Sequence, residues 1–212
     1  VPHSAAHLCA ALCGTASAAW LADLPENAWS YPYASALVDA GIMETDEDFC
    51  FLPDVATSRG AFVLALWRAF GSPEPAQLYE RFADVDRYSE YFDAVEWAYS
   101  SGITTGISDT QFGADYDLTR EQAFTFLYRA MRYTDQAPAY GSGHEQLRQI
   151  SEFSDYGQIS AWAADPIQLL MDIGIVTGSS SGELWPKMSL NNAATATILY
   201  KAMVYMGLLA AG

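Results

Sequence analysis

Three short stretches decide the reading of this chain: Phe82-Ala83-Asp84-Val85, Gly102-Ile103-Thr104-Thr105-Gly106 and Leu118-Thr119-Arg120-Glu121. Their pattern recurs 61 residues earlier, in register and without a gap. Leu21-Ala22-Asp23-Leu24 falls on the first stretch, Gly41-Ile42 on the start of the second, and Ser58-Arg59 on Thr119-Arg120. Phe51 and Asp54 meet Phe112 and Asp115, and Trp67-Arg68-Ala69-Phe70 meets Tyr128-Arg129-Ala130-Met131. A third copy follows at an offset of 71 to 72 residues. Phe153-Ser154-Asp155 opens it, Gly174-Ile175-Val176-Thr177-Gly178 matches 102–106, and Tyr200-Lys201-Ala202-Met203 closes it. Self-similarity at a fixed period marks a repeat architecture. The expected organisation is an N-terminal helix over 1–19, repeats over 20–72 and 80–133, a linker over 134–150 rich in Pro, Gly and Ser, and a third repeat over 151–206.

Each unit reads as helix, loop, helix. In the second copy Tyr91, Val95 and Ala98 recur at helical spacing, and Gly102 then stops the helix. A loop containing Gly106 and Gly113 follows. Thr119 opens the next helix as its N-cap, with Gln122 three residues on to complete a capping box. Ala123, Phe126, Leu127, Ala130 and Met131 supply that helix with an apolar face. Ser58 and Asn191 hold the cap position in the other copies. Asp23, Asp84 and Asp155 read as helix caps, and Trp29, Trp97 and Trp162 as packing residues. Two short helices cannot bury their apolar faces alone, so the three units are expected to pack into one all-α body.

With 51% apolar residues among 212 the chain has ample material for a core, and 14% aromatic content argues against disorder. The formal charge of −16 sets it against phosphate backbones and anionic lipid headgroups, so nucleic acid is not an expected partner. No apolar run approaches the roughly 18 residues that span a bilayer, so membrane insertion is not expected. The segment from Ala5 to Ala19 lacks the basic leader of a signal peptide and reads as an apolar helix. Cys9 and Cys13 lie four apart on one face of it, an awkward spacing for a mutual disulfide, and either could meet Cys50 across the fold. No Cys/His cluster offers four zinc ligands, and no metal or cofactor is expected.

The residues of the second copy closely resemble a motif of the S-layer-homology (SLH) family: the stretch at 82–85, Ala94-Val95-Glu96-Trp97-Ala98, the glycine-bounded 102–106 and Leu118-Thr119-Arg120-Glu121. The first and third copies resemble it less well. Together the three span about Trp20 to Met206. The resemblance implies a pseudo-threefold arrangement in which one helix of each repeat joins a central bundle. It also implies grooves between neighbouring repeats that bind secondary cell-wall polymer, commonly a polysaccharide carrying a ketal-linked pyruvate, at the surface of a bacterium. The motif's basic residue maps to Arg59 and Arg120, with Glu121 beside the latter. A guanidinium suits a planar carboxylate through paired, charge-assisted hydrogen bonds, and free backbone N–H groups at the helix start would add to it. Gly106, Ser108, Gly178 and Ser179 are candidate loop contacts. Trp185, between Leu184 and Pro186, is either core or a platform for a sugar face.

Departures from the motif bear on this. The third copy has Asn191-Asn192 where the Thr-Arg pair is expected, which keeps the cap and loses the charge. The first copy has Thr45 at the second loop glycine and Glu44, Asp46, Glu47 and Asp48 around it, which repel an anion. That acidic loop lacks the ligand order of an EF-hand and reads as solvated. His3 and His7 lie in the N-terminal segment and His144 in a linker, and neither a nucleophile elbow, a phosphate loop nor an HExxH motif is present, so catalysis is not expected. The competing expectation is an SLH-like scaffold that contacts another surface protein, with sugar binding lost.

Overall fold

The computed structural model describes residues 20–135, 137 and 148–210. The expected N-terminal helix over 1–19, with Cys9 and Cys13, and most of the linker lie outside the described residues. Six α-helices are present among them and no strand: α1 Tyr31–Asp39, α2 Arg59–Ala69, α3 Phe92–Ser100, α4 Arg120–Tyr133, α5 Ala161–Asp172 and α6 Asn192–Tyr205. Side chains close the starts of the even-numbered helices. Ser58 Oγ accepts the Ala61 N–H at 3.1 Å and Asn191 Oδ1 the Ala194 N–H at 2.9 Å. At α4, Gln122 Oε1 accepts the Thr119 N–H at 3.1 Å.

The helices do not pair within a unit. α1 packs on α6, α3 on α2, and α5 on α4, while α2 also touches both α4 and α6. The first helix of each unit thus covers the second helix of the unit before it, and α1 closes the ring onto the last. Each even-numbered helix carries apolar residues on more than one side, because it faces both its sister helices and a helix from the next unit. One continuous core results, holding Leu37, Phe62, Trp97, Phe112, Phe124, Leu127, Ile167 and Leu199 from all three units.

A closed triangle of backbone hydrogen bonds ties the helix starts together at one pole. Thr57 N–H donates to Leu190 O (2.7 Å), Leu190 N–H to Leu118 O (2.8 Å), and Leu118 N–H to Thr57 O (3.0 Å). Three isolated antiparallel bridges, Ala56 with Asn191, Ser58 with Asp117 and Thr119 with Ser189, accompany it. The pseudo-threefold axis therefore runs through residues equivalent in the sequence.

Two expectations are corrected here. The side chains of Asp23, Asp84 and Asp155 cap no helix, although Asp155 stands at the start of a short 3-10 helix, Tyr156–Gln158. Each carboxylate accepts the N–H groups of two consecutive residues 28 to 30 positions on: Phe51 and Leu52, Phe112 and Gly113, Leu184 and Trp185, at 2.6 to 3.1 Å. The second residue of each pair has positive φ (56°, 77° and 50°), and left-handed backbone of this kind turns successive N–H groups toward one anion. The carboxylate is thus a clamp between the opening of a unit and the loop before its second helix. Among the three tryptophans read as packing residues, Trp97 is fully buried, but Trp29 and Trp162 are 66% and 48% exposed. No helix among the described residues is long and apolar enough to cross a membrane.

Candidate functional site

The candidate residues gather where the start of one unit's second helix meets the loop of the next unit. Three such interfaces exist, built on Arg59, Arg120 and Asn192. Their backbone is equivalent: the first two N–H groups of each helix donate across the interface. Arg59 and Gly60 donate to Tyr116 O and Ala114 O, Arg120 and Glu121 to Met188 O and Pro186 O, and Asn192 and Ala193 to Val55 O and Pro53 O, all at 2.8 to 3.0 Å. The N–H groups expected to be free for an anion are therefore occupied, because the fold uses them to join the units.

The side chains at these positions differ in reach. Arg59 is only 3% exposed. Its Nε donates to Phe112 O at 3.1 Å, and its guanidinium lies 5.0 Å from the Phe112 ring centroid and 5.3 Å from that of Phe126. Burial pushes it down to about 10 against the opposing pull of Asp84, which leaves it a cation at neutral pH. Arg120 is half-buried. Its Nε donates to Leu184 O at 2.9 Å, the guanidinium stands 5.2 Å from the Phe124 centroid, and its Nη groups meet no protein acceptor among the described residues. Burial also lowers its pKa, with Asp155 opposing. Asn192 reproduces the shared part: its Nδ2 donates to Phe51 O (3.3 Å) and Leu52 O (3.0 Å), while its Oδ1 accepts from Thr57 Oγ1 at 2.8 Å. The bond to a loop carbonyl is common to all three interfaces. An accessible cation next to it is found at Arg120.

Glu121 faces inward. Its carboxylate accepts Ser160 N–H and Ser160 Oγ–H, both at 3.0 Å, at the N-terminus of α5, and it forms an ion pair with Lys187. The equivalent position in the first unit is Gly60, where an added Cβ would stand 2.9 Å from the Tyr91 ring. Tyr91 fills there the space that Glu121 fills in the second unit.

Gly106 and Gly178 are closed to a sugar on the side where a Cβ would point. At Gly178 (φ +69°) it would meet Phe153 Cε1 at 2.2 Å; at Gly106 (φ +82°) it would meet Phe82 Cε1 at 2.5 Å and Gln111 O at 2.6 Å. In the first unit the equivalent positions hold Leu21 in place of the ring and Thr45 in place of the glycine. Ser108 and Ser179 fasten their own loops: Ser108 Oγ accepts Thr110 N–H at 3.4 Å, and Ser179 Oγ accepts Glu183 N–H at 3.0 Å. Trp185 is 40% exposed, which removes the core reading. In the acidic first loop, Glu44 pairs with Arg68 at 2.9 Å, and Asp46 Oδ1 accepts the N–H groups of Asp48 and Cys50.

Lys187 is a functional candidate missed in the sequence. Its ammonium donates to Glu121 and, at 2.6 Å, to Ser160 Oγ, beside the α4 start. The signal was present: Lys187 occupies the repeat position of Asp54 and Asp115, a reversal of charge.

Comparison with known proteins agrees with this geometry. The family model for the S-layer homology domain matches residues 21–63 and 81–124. A cell surface protein of Thermoanaerobacter kivui is 32% identical over 127 residues, 60% of this chain and 16% of that protein. The surface-layer 125 kDa protein of Lysinibacillus sphaericus is 28% identical over 203 residues, 95% of this chain and 16% of its own length. An endoglucanase of Bacillus sp. (strain KSM-635) is 25% identical over 177 residues, 84% and 18% respectively. The chain spans less than a fifth of the length of these relatives. Helical repeats that match the S-layer homology domain, with surface proteins among their relatives, make this a module for cell-surface anchoring. Residues 21–63 and 81–124 are S-layer homology repeats, and the chain is a cell-wall-associated bacterial module.

Proposed function

We propose that this chain holds a bacterial surface protein on the wall by binding a secondary cell-wall polysaccharide that carries a ketal-linked pyruvate. The observation that carries this reading is Arg120: a guanidinium fixed through Nε to Leu184 O, with its Nη groups unclaimed by protein acceptors among the described residues. A pyruvyl carboxylate suits those groups, since a planar anion takes two parallel N–H donors from one guanidinium. Trp185 follows Leu184 directly and presents a ring on which a sugar face can stack. We read residues 151–206 as a diverged third repeat beside those at 20–72 and 80–133, since α5 and α6 sit in equivalent positions. The test is sedimentation with purified sacculi that retain their secondary polymer. Native protein is expected in the pellet and Arg120→Ala in the supernatant. Equal retention of a folded Arg120→Ala would remove the Arg120 groove from the account.

A second reading rests on a separate observation. Trp20 and Phe49, 70% and 51% exposed, have ring centroids 6.1 Å apart on the first unit, whose neighbouring interface has Asn192 instead of arginine. That face suits contact with another surface protein, and failure of native protein to bind sacculi would favour it.

A further inference from the structure

The three unit interfaces are alike in backbone and unlike in charge. At each, the carbonyls that accept the two opening N–H groups of a second helix flank one loop residue. That residue is Asp115 between Ala114 and Tyr116, Lys187 between Pro186 and Met188, and Asp54 between Pro53 and Val55. At the Arg59 interface that loop residue, Asp115, is opposite in charge to the arginine. Beside Asn192, Asp54 leaves a net negative charge. Beside Arg120 the loop residue Lys187 pairs with Glu121 and so adds no negative charge, and Asp117, which accepts Ser189 Oγ–H at 3.2 Å, is a further carboxylate there. The clamping carboxylates of Asp23, Asp84 and Asp155 are common to all three and drop out of the comparison.

The two charges next to Arg120 are also unequally placed. The Glu121 side chain is 4% exposed and spends its oxygens on Ser160 and Lys187, whereas the Lys187 side chain is 49% exposed. An ammonium has three donors. Two of them go to Glu121 and Ser160, so the third is available at the surface. A ligand approaching this interface meets the cation of the pair and not the anion. The same interface has Trp185 where the others have Leu52 and Gly113.

Resting on the wall-glycan reading, we infer that Lys187 is the specificity-determining residue of the module: it makes the groove between the second and third units the single site for an acidic sugar, with Arg120 as its partner cation. The interface at Arg59 is not a second site, because that guanidinium is buried against Phe112 and Phe126 and its loop residue is Asp115. The groove at Asn192 is not a third, because it has no cation and carries Asp54.

The test is isothermal titration of the full chain with a hexoside bearing a ketal-linked pyruvate, beside its methyl ester, which keeps the shape and removes the charge. The expected result is one site per chain. Lys187→Asp, which installs the residue of the other two units, weakens binding at least about tenfold, as loss of a charge-assisted contact implies. Lys187→Arg stays within about threefold of native, because the charge is retained. Lys187→Met guards against a charge-reversal artefact: shown folded by circular dichroism, it still binds the acid more weakly and flattens the dependence of affinity on salt. Two or three sites per chain, or Lys187→Asp binding as native does, would overturn this inference and leave the anchoring reading intact. A native chain that binds neither the hexoside nor sacculi would overturn both.

Discussion

Replacing Gly178 by alanine tests how the loops of this module are held. The backbone there has φ +69°, and an added Cβ would stand 2.2 Å from Phe153 Cε1 and 2.8 Å from its Cζ, with Glu183 O at 3.2 Å. Two costs follow. The left-handed backbone costs an L-residue about 1–2 kcal/mol, and the overlap with a buried ring costs about 1–3 kcal/mol as the ring is displaced. The sum is about 2–5 kcal/mol. The second part belongs to Phe153 alone, so it vanishes once the ring is gone. Phe153→Leu by itself leaves a small cavity and costs about 1–2 kcal/mol. In the double variant the leucine leaves room for the new methyl, and the first unit holds a similar pair of sizes, Leu21 and Thr45, at the equivalent positions. A double-mutant cycle measured by urea unfolding, followed by circular dichroism, is expected to give a favourable coupling of about 1–3 kcal/mol. Additive single effects, with coupling within about 0.5 kcal/mol of zero, would refute the claim that this glycine is fixed by the ring pressed against it.

Other outcomes follow from the same geometry. Arg59→Ala removes a buried cation–π contact and the bond to Phe112 O, and is expected to cost about 2–4 kcal/mol in urea unfolding; Arg120→Ala, half-buried, is expected to cost about 1 kcal/mol and to lose wall binding instead. Burial pushes the Asp84 carboxyl up, but the N–H groups of Phe112 and Gly113 outweigh it and hold its pKa below the ordinary 3.8. A depressed carboxylate stabilises the fold above its unfolded pKa and loses that contribution as pH falls through the folded one, so the loss falls below about pH 4. Asp84→Asn, at an exposed side chain where solvent screens the charge, is expected to cost about 1 kcal/mol at neutral pH and to remove part of the acid dependence. Native and variant unfolding curves at pH 7 and pH 3 check both statements.

The repeat was legible because the residues that build it recur in fixed register. Asp23, Asp84 and Asp155 stand out as equivalents, as do Ser58, Thr119 and Asn191, and those three open helices as their sequence says. What the aspartates do was not legible. A cap is a local reading, and their partners lie 28 to 30 residues away in a turn whose left-handed backbone a leucine and a tryptophan also adopt. The pairing of helices was hidden for a related reason. Chain order makes α1 and α2 neighbours, yet the loop between them carries α1 onto α6, and only the contacts reveal it. The N–H groups of the α4 start looked free because nothing local accepts them; their acceptors, Met188 O and Pro186 O, belong to the next unit. Lys187 went unnoticed for want of comparison at one position, where two aspartates give way to a lysine. Trp29 and Trp162 show that a tryptophan near a helix start need not reach the core when that end lies at the surface.

The central claim is that an acidic group on the wall polymer is what this module holds. It is tested most directly by sedimenting the native chain with sacculi before and after chemical removal of the ketal-linked pyruvate. The account predicts retention on the intact walls and its loss on the depyruvylated ones. Equal retention on both would contradict it.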